Sequence, residues 1–193
     1  WWQKFDEQPK LRSARLKKII ASHEDLHWGL FDIPLPEPRT TTLGDIIEHD
    51  IPDDSSLWWS DDRKHHLFAQ MSPAHQTKLQ AMMDNKFFSY GTVFRRMRAG
   101  ASMAELRTDG IAGCLRTPRG GSSKQILIRA GNGGWNGRLL TPREYARLQG
   151  VRDSFVLPDN ANKGYFAMGD AVCVPAIEHL SKYALTPAYD FSR

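Results

Sequence analysis

Thr141, Pro142 and Glu144 constrain the local fold of this 193-residue chain more tightly than any other three residues in it. A threonine followed by proline and, three positions on, by glutamate is a capping box with proline at the first helical position, so a helix starts at Pro142. Tyr145 and Leu148 give that helix a narrow apolar stripe, Arg143 and Arg147 give it a basic side, and Gly150 supplies a left-handed stop. Just upstream, Ile126–Arg129 and Arg138–Leu140 are strand-like runs separated by Asn132, Gly133, Gly134 and Gly137. That punctuation closes a hairpin directly onto the helix.

The same rules read the rest of the chain in coarser strokes. Residues 31–39 are too rich in proline for a regular element, and one of Thr40, Thr41 and Thr42 caps a short helix that follows. Asp61 caps a helix carrying Leu67, Phe68 and Met71, and Ser72-Pro73 starts another carrying Leu79, Met82 and Met83, methionines that serve packing. Tyr90, Thr92 and Phe94 fall on one face of an extended segment that leads into a basic loop holding Arg95, Arg96 and Arg98. Ser102 to Glu105 offers one more helix cap before Asp109-Gly110 turns the chain. Gly169-Asp170 reads as a loop opening a helix whose first turn holds Pro175 or Ala176 and whose apolar residues are Ile177, Leu180 and Ala184. Short strands and hairpins interleaved with helices make the fold class α+β.

Composition excludes several classes. No apolar run is long enough to cross a bilayer and no signal-peptide pattern is present. Cys114 and Cys173 are far apart, and the seven histidines are scattered, so neither a disulfide framework nor a metal site is indicated. The modest net charge of +4 conceals segregation: residues 40–62 hold seven acids and no lysine or arginine, while residues 95–129 hold eight basic residues against Glu105 and Asp109. A basic cluster of this kind is the footprint of a surface that meets phosphates, and equally of a solvated face.

The wording of the cluster favours the first. Arg116, Thr117, Arg119, Gly120, Gly121, Ser122, Ser123, Lys124 and Gln125 make a glycine-serine loop flanked by cations. Glycine lets backbone approach a ligand, the hydroxyls and amide hydrogen-bond, and arginine contacts phosphate or guanine in two-point fashion. The spacing is not that of a nucleotide-binding Walker loop. Arg95, Arg96 and Arg98 join it as candidates for DNA-backbone contact, and the sequence does not choose among them.

Arg138-Leu-Leu-Thr-Pro-Arg-Glu-Tyr-Ala-Arg-Leu-Gln-Gly150 resembles motif nine of the DNA (cytosine-5) methyltransferases, and Gly169-Asp-Ala-Val-Cys-Val-Pro175 resembles their motif ten. The string from Gly113 to Gln125 is similar to the core of the target-recognition domain in one branch of that family. The resemblance implies structural roles for Arg138, Thr141, Arg143, Glu144, Arg147 and Gln149, and cofactor-facing positions at Asp170, Ala171 and Val172 for S-adenosylmethionine. It places Thr117 near the phosphate of a flipped nucleotide. Aspartate at 170, where many relatives carry asparagine, keeps an acceptor and loses a donor.

The family's reacting groups do not map onto this sequence. There is no Pro-Cys dipeptide, no Glu-Asn-Val and no Phe-x-Gly-x-Gly loop, and neither cysteine follows a proline. The resemblance therefore implies the carboxy-terminal half or subunit of a cytosine-5 DNA methyltransferase, in three parts. Residues 1–34 are a connector from the catalytic part, 35–150 the target-recognition domain with motif nine, and 151–193 the motif ten loop and a C-terminal helix belonging to a Rossmann-like S-adenosylmethionine-dependent domain. The implied partners are double-stranded DNA and a catalytic methyltransferase subunit or N-terminal half, in a bacterial cytoplasm and a restriction-modification or defence setting, with no membrane and no metal. A stand-alone, catalytically inactive DNA-binding module is the alternative.

Overall fold

Ile126, Leu127 and Ile128 are apolar without interruption, as expected of an interior strand covered on both faces. In the computed structural model, which describes residues 1–7, 9, 12–117 and 124–191, they form the first half of strand β3 (Ile126–Gly131) and are fully buried. β3 pairs antiparallel with β1 (Ser89–Arg98) on one side and with β4 (Gly134–Leu139) on the other, and β1 pairs with β2 (Ala101–Arg107). The sheet order is β2-β1-β3-β4, all antiparallel. Helices α1 (Trp2–Asp6), α2 (Ala14–Ala21), α3 (Leu43–Ile46), α4 (Asp61–Ala69) and α5 (Pro73–Met83) precede the sheet. Helices α6 (Pro142–Leu148), α7 (Ala161–Asp170) and α8 (Val174–Leu180) follow, then a π-helical turn (Ser181–Leu185) and α9 (Thr186–Phe191). The fold is α+β.

Residues Pro38–Pro175 form one compact unit, and the pleat of the sheet divides its core in two. Val93, Leu106, Ile126, Ile128 and Ala130 face α4 and α5, where Leu67, Met71, Leu79 and Met82 complete the packing. Leu127 faces the other way, toward Leu43 and Ile47 near α3, Tyr145 and Ala146 of α6, and Tyr165 and Met168 of α7. The second unit joins Trp1–Glu37 to Ala176–Arg193. In it Ser13 caps α2 by accepting from Leu16 N, Phe5 and Ile20 are buried, and Trp1 and Trp2 are exposed rings against Phe5.

Most of the predicted punctuation is present. α6 begins at Pro142 with the reciprocal Thr141–Glu144 capping box and ends at Gly150 with φ +75°. Thr42 caps α3, and Pro73 opens α5. Five expectations fail. The N-cap of α4 is Ser60, with Asp61 the first helical residue, and Gly134 and Gly137 lie within β4, leaving Asn132-Gly133 as the turn. β1 runs on through Arg95, Arg96 and Arg98, so these lie on a strand and not in a loop; the turn is Ala99-Gly100, with φ 47° and 80°, a two-residue hairpin of matching twist. Ser102 to Glu105 is part of β2, because pairing with β1 outweighs a weak cap signal. Gly169 and Asp170 are the last residues of α7 and open no helix; α8 starts at Val174 after the short Ala171–Cys173 loop. Among the described residues, no helix is long and apolar enough to cross a membrane.

Candidate functional site

Alternation along β1 separates its three arginines. Phe94, Arg96 and Arg98 follow Thr92 on one face, whereas the pleat turns the Arg95 side chain to the Val93 side, where its Nε is buried without a hydrogen-bond partner. Cross-strand register puts Arg107 opposite Thr92 and Glu105 opposite Phe94, on the Arg96 face. Phe94, Arg96, Arg107, Gly113, Arg116 and Gln125 thus line a basic cleft of about 390 Å³.

Carboxylates temper this cleft without neutralising it. Glu105 accepts from Arg98 through Nε at 3.2 Å and Nη2 at 2.9 Å, and Arg96 Nε stands 3.3 Å away. Hydrogen bonding to Arg98, with the neighbouring Arg96 charge, holds the Glu105 carboxyl below the usual carboxylate range. Arg107 pairs with Asp109 at 2.6 Å and lowers that carboxyl in the same way. Arg116 and Arg95 make no ion pair among the described residues; Arg116 is the exposed one of the two uncompensated cations that line the cleft. Gln125 is 4% exposed and already engaged: its carbonyl accepts from Gly113 N at 3.1 Å, its amide donates to Cys114 O at 3.4 Å, and its backbone N–H donates to the Tyr145 hydroxyl at 2.7 Å. It shapes the cleft floor.

Next to Tyr145, whose hydroxyl accepts from Gln125 N, lies a network centred on Glu144. Its carboxylate accepts from Arg138 Nη1 at 2.7 Å and Nη2 at 2.5 Å, from Thr141 N at 2.7 Å and from Glu48 N at 2.8 Å. Thr141 Oγ1 donates to Glu48 at 2.6 Å. Arg147 pairs with Asp153 at 2.8 Å and donates to Ile46 O at 3.0 Å, and Arg143 donates to Phe155 O at 2.9 Å. Tyr145 and Tyr165 meet edge to face, their ring centroids 5.0 Å apart, and burial pushes each phenol up to about 12.

α7 and the loop after it complete the site. Gln149 Nε2 donates to Met168 O at 2.9 Å and Ala171 O at 3.2 Å, and Val174 N donates to Gln149 O at 2.8 Å. The Thr117 hydroxyl donates to the Asp170 carboxylate, and Lys124 Nζ donates to Asn162 Oδ1 at 2.8 Å. Val172 is 62% exposed, which leaves an apolar side chain free on this loop. Arg119, Gly120, Gly121, Ser122 and Ser123 lie outside the described residues. Among the described residues no cluster of three or more His, Cys, Asp or Glu could hold a metal ion. Arg107, Glu105 and Asn162 were invisible as site residues in the sequence, because only the strand register and the packing of α7 bring them to the cleft and its loop.

Comparison with known proteins gives one consistent result. The family model for C-5 cytosine-specific DNA methylase matches residues 14–185. The chain is 27% identical over 172 residues to the Type II methyltransferase M1.ScrFI of Lactococcus lactis subsp. cremoris, a span covering 88% of this chain and 36% of that protein. It is 32% identical over 159 residues to the Type II methyltransferase M.NlaX of Neisseria lactamica, covering 79% and 41% respectively. A shorter span of 48 residues is 48% identical to the Type II methyltransferase M.HpaII of Haemophilus parainfluenzae and covers 25% of this chain and 13% of that one. In the two longer matches the aligned span thus amounts to 36% and 41% of the relative's length.

Proposed function

The chain belongs to the C-5 cytosine-specific DNA methylase family, and on that premise we propose that it is the DNA-recognition half of a methyltransferase acting on carbon five of cytosine. The supporting observation is the basic cleft. Arg96, Arg107 and Arg116 converge on one concave surface beside a two-stranded ribbon, a shape that a DNA major groove admits. Arg116 supplies charge for the phosphate backbone, and Arg96 and Arg98, oriented by Glu105, present guanidinium edges beyond the body of the sheet. The thiolate that attacks cytosine and the glutamate that handles the ring proton belong to a second polypeptide or a preceding half.

Asp170, Ala171 and Val172 fit one wall of an S-adenosylmethionine site: Val172 offers exposed apolar surface, and the two bonds from Gln149 hold the backbone that presents it. The cofactor supplies an electrophilic methyl group. α8 and the chain after it, with Ile177, Leu180 and Leu185 exposed, pack on the catalytic domain's sheet. The domain division is a recognition domain over residues 35–150, preceded by a connector and followed by the docking helix. The setting is a restriction-modification or defence system, as the Type II relatives suggest.

The test is methyl transfer from labelled S-adenosylmethionine to duplex DNA. The chain alone should bind DNA and transfer nothing, and a co-purifying polypeptide with the Pro-Cys and Glu-Asn-Val motifs should restore transfer. Transfer by the purified chain alone would refute the divided enzyme. DNA binding with no such polypeptide in the source would favour the stand-alone binding module.

A further inference from the structure

α7 holds both ends of the segment that the sequence marks as the recognition loop. At one end the Thr117 hydroxyl donates to Asp170, and Gly169 lies so close that a Cβ there would stand 2.5 Å from Thr117 N and 2.7 Å from the Arg116 carbonyl carbon. At the other end Lys124 Nζ reaches Asn162 at 2.8 Å and sits 4.2 Å from the centre of the Tyr165 ring. Asn162, Tyr165 and Gly169 recur at helical spacing on one face, so the separation of the two anchors is set by the helix itself. α7 is in turn fixed to the core, because the Tyr165 hydroxyl donates to Leu140 O at 2.6 Å and Gln149 binds Met168 O and Ala171 O.

The chemistry of the Thr117–Asp170 contact is restrictive. A threonine hydroxyl has one proton, and a carboxylate only accepts. With that proton committed to Asp170, the Thr117 side chain has nothing to donate to a phosphate oxygen, which is also only an acceptor. We propose that Asp170 is a positioning residue for DNA recognition: its carboxylate fixes Thr117 and the entry to the recognition loop, while the backbone that follows it forms the cofactor-side loop. Thr117 is then an anchor, and Arg116 beside it the group left to meet the phosphate. The inference rests on the DNA-recognition reading above.

The experiment compares the full chain with Asp170→Ala, Asp170→Asn, Thr117→Val and the Thr117→Val/Asp170→Ala double variant, all confirmed as folded by circular dichroism. Conformational exchange at the Arg116 and Thr117 amides, followed by NMR relaxation, reports the anchor without DNA, and anisotropy of a labelled duplex reports binding. Asp170→Ala should speed exchange about tenfold and weaken DNA binding about fivefold, the scale of one ordinary hydrogen bond. Asp170→Asn, which keeps an acceptor, should stay within about twofold on both readings. Thr117→Val should match Asp170→Ala, and the double variant should be no worse than either single one. Unchanged exchange in Asp170→Ala overturns the anchor. Equal tightening by Asp170→Asn and Asp170→Ala shows a bare charge effect and overturns it too. Weakened binding by Thr117→Val with unchanged exchange returns Thr117 to the phosphate. If the wild-type chain binds no DNA, the recognition reading falls and the exchange measurements alone judge the anchor.

Discussion

Arg138 and Glu144 face each other through two parallel guanidinium–carboxylate bonds, with side chains 1% and 0% exposed. Desolvating two charges is costly, so a buried pair of this kind is not a source of stability by default. Here the carboxylate also accepts from the backbone N–H groups of Thr141 and Glu48, and so ties the end of β4, the start of α6 and the segment after α3 to one point. Glu144→Ala should strand the guanidinium and both backbone donors and destabilise the fold by about 3–5 kcal/mol. Urea unfolding measures this, and a loss below about 1 kcal/mol would show that the three segments are held by other means.

Gly150 combines a φ of +75° with close packing on the Pro175 ring. Gly150→Ala should cost about 1–2 kcal/mol from the left-handed backbone alone, with more from displacement of Pro175. A thermal shift of less than a degree or two would place the strain elsewhere.

Tyr145 and Tyr165 should ionise only well above the ordinary phenol range. Burial raises both phenols from 10.0 to about 12, with the neighbouring Tyr145 and Glu144 charges adding to the shift of Tyr165. A group whose pKa is raised in the folded state contributes stability that is whole below its unfolded value and disappears as pH climbs through the folded one. Stability should therefore hold up to about pH 10 and fall between there and about 12, with late tyrosinate absorbance coinciding with unfolding. Ionisation of Tyr145 and Tyr165 near pH 10 in a folded chain would contradict the burial.

On DNA, Arg116→Ala should weaken binding and lower the salt slope by about 1, as loss of a single phosphate contact does. Glu105→Gln should act in the opposite sense, tightening non-specific binding at low salt by about two- to fivefold, because Arg96 and Arg98 lose the carboxylate that shares their charge. If Glu105→Gln weakened binding, Glu105 would be holding the two guanidinium groups in the geometry that DNA requires. Anisotropy titrations across a salt series separate these outcomes.

What the sequence made legible is what physical chemistry decides within three or four residues. The Thr141–Glu144 capping box, the Gly150 stop and the hairpin around Asn132 are of that kind, and each is in place. What it hid depends on distant partners. The sides taken by Arg95 and Arg96 follow from pairing with β2, and the place of Glu48 depends on a residue 96 positions away. α7 was hidden for a different reason. Its two glycines argue against a helix, at a cost of about 1 kcal/mol each, yet both are packing residues: a Cβ at Gly164 would stand 2.8 Å from Pro142, and one at Gly169 would strike Thr117.

β1 pairs with β3 only as far as Val93, whereas its pairing with β2 continues to Arg98. The outer ribbon, Arg96 to Met103 around the Ala99-Gly100 turn, can therefore be rewritten without disturbing the register of the inner sheet or either half of the core. Such a tip has the pairing expected of an exchangeable cassette. On the proposed DNA-recognition role, grafting it between relatives with Arg96, Arg98 and Glu105 kept should change base preference and leave the rest of the scaffold intact.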